Sequence, residues 1–175
     1  MVCAVSEVWS GRKFVVRWSF DETNGSGDIR MLIHGRCHCA NISFVLTWEP
    51  EPAEIQARAC GCSFCAKHSI AWTSNPGGTL KVTVKDPSQV SKYTFGTRAA
   101  EFHTCAHCGV VAVVTSRIDD HLYAVVNVNA FEGIDRSRIR RLPTNFDGEE
   151  ARARLARWKR NWIANVEFSG TAAFP

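Results

Sequence analysis

Three cysteine groups constrain this chain more than any other feature: "CHC" at 37 and 39, "CGCSFC" at 60, 62 and 65, and "CAHCG" at 105 and 108. Seven of the eight cysteines fall in these groups, and Cys3 stands outside them as an incidental free thiol. On an extended segment the two sulfurs of Cys-x-Cys point to one side, because side chains alternate along a strand. A Cys-x-x-Cys turn also brings two sulfurs together, and the following Gly109 permits a backbone conformation that other residues resist. Whatever fold forms must gather sulfurs from separate stretches of the chain.

Joining "CHC" to "CAHC" gives four thiolates, the donor set of a closed structural zinc. Cys60, Cys62 and Cys65 then remain as a set of three. Three protein ligands with one position open is the arrangement of a catalytic zinc. Two other readings of the central group stay open: His68, His103 or another side chain completes a structural site, or Cys62 and Cys65 form a redox pair. No βαβ pattern of the thioredoxin kind surrounds the latter. His38 is not counted as a ligand, since it faces away from Cys37 and Cys39 if that segment is extended.

The rest of the chain favours a compact body rich in β-structure. With 45% apolar and 22% charged residues, its 175 residues are enough for one domain with a real core. Ile42, Phe44, Leu46 and Trp48 alternate with polar neighbours, and "TLKVTVKD" repeats the pattern through Leu80, Val82 and Val84. "GVVAVV" from Gly109 and "HLYAVVNVNAF" from His121 are apolar and β-rich. One segment, "DGEEARARLARWKRNWI", reads as a helix, with Asp147 as N-cap and a Glu150–Arg154 pair. Its stripe of Ala151, Leu155, Trp158 and Trp162 is expected to pack on the β body. The expected organisation is an N-terminal extension over 1–30 (a hairpin, then the linker "DETNGSGD"), with Met31 a candidate start. A zinc-binding β domain over 31–135 and a basic segment with the helix over 136–175 follow.

No run approaches the 18 apolar residues of a membrane span, and the N-terminus lacks the features of a secretory signal. A cytoplasmic chain is expected, where clustered cysteines mean metal or redox chemistry. The formal charge of +4 falls to about +1 once seven thiolates and two zinc ions are included. That argues against a nucleic-acid partner, although the segment after residue 135 is rich in arginine.

The stretches "GRCHCANISF", "CGCSFCAKH", "YTFG", "FHTCAHCG" and "VNVNAFEGID", in this order, resemble the glutathione-dependent formaldehyde-activating enzyme family, which includes centromere protein V. The tail "NFDGEEARARLARWKRNW" is similar to the ending of bacterial members, so the resemblance covers roughly residues 31–165. It implies a β-tent of antiparallel sheets tied by zinc, with one C-terminal helix. It also implies two Zn²⁺ per chain: a structural zinc on Cys37, Cys39, Cys105 and Cys108, and a catalytic zinc on Cys60, Cys62 and Cys65. The implied activity is that of a carbon–sulfur lyase, adding the thiol of glutathione to formaldehyde or a related small aldehyde. The chain departs from the family at Ser69, often glycine, at Ala66, often basic, and at Thr104, often aromatic. These departures bear on the substrate more than on the metal.

Glutathione is anionic, so Arg58, Lys67 and Arg98 are candidate substrate-binding cations, and His68 is a candidate catalytic donor. The competing expectation is a zinc-stabilised binding module, a carrier of glutathione adducts or a binder of nucleic acid or protein. That reading makes both metals inert.

Overall fold

The computed structural model describes residues 30–170; the hairpin and linker expected before Met31, and Cys3, lie outside them. Eleven strands and two α-helices follow one another in this order: β1 (Met31–Arg36), β2 (Ile42–Trp48), β3 (Ile55–Cys60), α1 (Ser63–Lys67), β4 (Ala71–Thr73), β5 (Thr79–Val84), β6 (Val90–Tyr93), β7 (Glu101–Cys105), β8 (Val111–Ile118), β9 (His121–Asn127), β10 (Ile139–Thr144), α2 (Ala151–Asn161) and β11 (Asn165–Ser169). They form a four-stranded sheet, β1-β2-β5-β11, and a seven-stranded sheet, β10-β3-β4-β9-β8-β7-β6.

The small sheet follows the alternation in its sequence. Met31, Ile33, Ile42, Phe44, Leu46, Leu80, Val82 and Val84 are buried, while Leu32, His34, Lys81 and Thr83 face out. Its inner side chains meet Ile55, Ala57, Ala71, Val113, Ala124 and Val126 of the large sheet in one core.

The large sheet is covered on both faces, so β8 reads as a nearly continuous apolar run. Val113 and Val126 are paired neighbours that face the small sheet, whereas the adjacent pair Val114 and Val125 faces the helices. On that second face Trp158 of α2 and Trp162, its C-cap, pack with Trp72, Phe102 and Cys65.

Four features differ from the sequence reading. The sheets are mixed: β10 runs parallel to β3, and β11 parallel to β5. Each sheet thus gains one edge strand from the C-terminal part of the chain, and Pro143 is tolerated in β10 because that strand is an edge. The helix starts after Glu150, which makes no side-chain capping bond, so Asp147 is not its cap. Gly148, at φ 75°, turns the chain before the helix can begin. Arg154 pairs with Glu149 at 3.4 Å, in place of the expected pair with Glu150. A second, short helix, α1, lies within the central cysteine group.

Candidate metal centres and an adjoining cavity

Each cysteine pair is shaped by a turn. "CHC" is not extended: it lies in the turn of the β1–β2 hairpin, where Ala40 N–H donates to the Cys37 carbonyl and Cys37 N–H to that of Ile42. Ala40 takes up a left-handed φ of 58° to close it, and His38 is exposed. "CAHC" makes the matching turn between β7 and β8: Gly109 N–H donates to the Cys105 carbonyl, and Gly109 has φ 75°. The two turns come from different sheets and meet.

The sulfurs of Cys37, Cys39, Cys105 and Cys108 lie within 4.8 Å of one another. Sγ of Cys39 is 3.6 Å from that of Cys37 and 3.4 Å from that of Cys105. A tetrahedral zinc with bonds of about 2.3 Å sets its sulfurs about 3.8 Å apart, so these four fit such an ion with small adjustment. Ile42 N–H donates to Cys37 Sγ at 3.3 Å, the kind of bond that supports a thiolate ligand. Burial pushes the Cys37 thiol up to about 12 and raises Cys105 as well. Burial also raises Cys108, but hydrogen bonds from backbone and thiols outweigh it and hold that group near 6.

Cys60, Cys62 and Cys65 form the second cluster within the same 4.8 Å limit. Cys60 ends β3, Cys62 is the N-cap of α1, and Cys65 lies inside that helix. Cys65 N–H donates to Cys62 Sγ at 3.5 Å, and the Trp72 indole donates to Cys65 Sγ at 3.3 Å. A hydrogen bond from Cys65 holds the Cys60 thiol down at about 5 despite burial; the same bond and burial push Cys65 up. One of the three close sulfurs, that of Cys60, is thus favoured as a thiolate, and a divalent cation bound among them would ionise its neighbours too. Neither cluster includes a histidine. His103 is buried with Nε2 2.7 Å from Thr115 Oγ1, and burial followed by the charge of Lys92 lowers it to about 4.

The three central cysteines open onto a cavity of about 250 Å³. Arg58 lines it and is half-buried; among the described residues it has no carboxylate within ion-pair distance. Its Nη2 donates to Ser74 Oγ at 3.2 Å, and that hydroxyl donates to the Asn161 carbonyl at the end of α2. Burial lowers its pKa, and the nearby charge of Arg157 adds to this. Arg98 belongs to a different cavity, together with Lys92 and His103. Lys67 and His68 are exposed at the C-terminal end of α1 and do not line the cysteine cavity. The His68 ring lies 4.6 Å from that of Phe64.

Sequence reasoning did not place Asn145, Asp147, Arg154, Arg157, Trp158 and Trp162 at this site, yet all line the cavity. The signal present was the Trp158–Trp162 stripe, which fixes the buried face of a helix but not what that face covers.

A mainly β body, two mixed sheets and two cysteine clusters able to hold metal ions define a class of metal-binding β proteins. Within it, the chain belongs to the family described as glutathione-dependent formaldehyde-activating enzyme, whose model matches residues 32–141. A crystal structure of a Rhodobacter sphaeroides protein is also similar, at 28% identity over 59% of this chain and 92% of that one, with a TM-score of 0.42. Among the described residues no helix is long and apolar enough to cross a membrane.

Proposed function

We propose that this protein is a cytoplasmic, zinc-dependent enzyme of the carbon–sulfur lyase type, which joins the thiol of glutathione to formaldehyde or a related small aldehyde. The observation that carries the reading is the second cluster: among the described residues it has three thiols and no fourth protein ligand, and it opens onto a cavity that contains an arginine with no carboxylate partner among those residues. Cys37, Cys39, Cys105 and Cys108 would hold one zinc as a clasp between the sheets; Cys60, Cys62 and Cys65 would hold the other. A zinc on the central cysteines would supply Lewis acidity and keep a bound thiol ionised.

The chain's own residues bind and orient. Arg58 is placed to take a carboxylate of glutathione, and Asp147 at the exposed rim to take its ammonium. The Ser74 bridge to α2 holds the guanidinium in place, which reduces the ordering needed on binding. In the addition, a sulfur–carbon bond forms, the carbonyl π bond opens, and the proton lost by the thiol is balanced by one gained on oxygen. A free thiol of pKa about 8.5 is only about 3% ionised at pH 7, so ionisation alone is worth roughly 30-fold. The larger part must come from holding the aldehyde beside the sulfur.

The binding-module reading has less support. Arg138, Arg140, Arg154, Arg157 and Lys159 of the basic segment all pair with carboxylates of this chain, which leaves less of its charge for a polyanion.

Calorimetry with the zinc-loaded chain tests the proposal. Glutathione should bind with one site per chain, Cys62→Ser should abolish binding while the fold persists, and Arg58→Gln should weaken it about 10-fold, the scale of one charge-assisted hydrogen bond. Unchanged binding by Cys62→Ser would overturn the assignment of the central cluster.

A further inference from the structure

The cavity beside the central cysteines is larger and more apolar than a one-carbon aldehyde requires. Formaldehyde has two heavy atoms and needs little more room than a water molecule, about 30 Å³. The cavity measures about 250 Å³, and an apolar cavity of about 150 Å³ already admits a benzene ring. Its lining is graded. Arg58, Asn145, Asp147, Arg154 and Arg157 are partly or fully exposed, whereas the buried end is built only from uncharged side chains. Glutathione's two carboxylates, ammonium and amides suit the first part and would be desolvated without recompense in the second.

We propose that the aldehyde taken by this site carries an aromatic ring, and that the ring sits against Trp72, Phe102, Val114, Val125, Trp158 and Trp162. The inference rests on the thiol–aldehyde reading above and specifies its second substrate. These six side chains are all buried and form one cluster with Cys65, so a group attached to the sulfur-bound carbon has this wall within reach. The wall suits a ring: Trp158 and Trp162 stack at 4.5 Å and 23°, and Phe102 meets Trp72 edge-on at 6.0 Å. Offset and edge-to-face geometries of this kind are those in which a further ring packs well. Trp158 and Trp162 come from α2 and its C-cap, so the C-terminal segment supplies part of this apolar wall. The addition needs no oxidant: the thiol proton is given up, the sulfur–carbon bond replaces the carbonyl π bond, and oxygen takes a proton.

Two stable thioethers test this on the full, zinc-loaded chain. S-methylglutathione and S-benzylglutathione stand in for the formaldehyde and benzaldehyde adducts, each without the hydroxyl. The S-benzyl compound should bind at least about 10-fold more tightly, because its ring removes further apolar surface from water. Ala100 also lines the cavity, and Ala100→Phe should reduce that preference to less than about 3-fold. Equal or weaker binding of the S-benzyl compound, with glutathione still bound, would overturn the ring site and leave the thiol site standing. So would a 10-fold preference that survives in a folded Ala100→Phe variant. No binding of glutathione or of either thioether would overturn both readings.

Discussion

Gly35 faces Phe44 across the β1–β2 register, and a Cβ at Gly35 would lie 2.1 Å from Phe44 Cζ. The ring fills the space that the missing side chain leaves and meets Phe131 edge-on at 6.1 Å. Phe44 is 2% exposed and packed on all sides, so it has nowhere to retreat. Gly35→Ala should therefore destabilise the protein by about 1–3 kcal/mol, the usual cost of overpacking, as read from the denaturation midpoint. A loss below about 0.5 kcal/mol would show that the ring can shift. Gly35 lies two residues before Cys37, so the same contact fixes the approach of the hairpin to the four-cysteine cluster. Single residues were unevenly legible in the sequence. The cysteines announced themselves by spacing, but Arg58 stood among three equivalent cations, and only the fold separates it from Lys67 and Arg98.

At the scale of elements, α2 is anchored by its carboxylate. Glu149 Oε2 accepts from Arg157 at 2.7 Å and from Arg154 at 3.4 Å, and Arg157 lies 3.6 Å over the Phe146 ring. The hydrogen bond from Arg157 is the main reason why the Glu149 carboxyl titrates below its ordinary range. A carboxylate with a depressed folded pKa adds stability above its unfolded value, about 4.3, and loses it as the pH falls through the folded one. Glu149→Gln should thus cost about 1 kcal/mol, with the same gap to wild type from pH 8 down to pH 5 and a smaller one only below that. A gap that grew towards acid would contradict the assignment. The 3.6-residue stripe gave the helix and, through Leu155, Trp158 and Trp162, its inward face in advance, whereas Ala151 at the first position is exposed. Its start was misplaced because Gly148 turns the chain in a way that no periodicity reports. The role of Trp158 and Trp162 as a cavity wall was hidden because a pattern of burial names no partner.

Across the whole molecule, the two sheets share one core and meet at the turns that carry Cys37, Cys39, Cys105 and Cys108. The β class was legible from alternation, but the burial of β8 on both faces was not drawn from its apolar start. The parallel pairings of β10 with β3 and β11 with β5 were not legible. Strand partners distant in sequence are chosen by the closing of the core, which leaves no local mark. Among the described residues the two clusters differ: one is closed by four sulfurs, and one holds three with room for a fourth. Loading the full chain with cobalt(II) in place of zinc, then adding glutathione, tests this most directly, because cobalt's visible absorption reports its ligand set. Two metals per chain should bind, and glutathione should add thiolate absorption at one of them only, with no change at that site in Cys62→Ser. Two metals whose absorption glutathione leaves untouched, or a single metal per chain, would contradict an open central cluster beside a closed one.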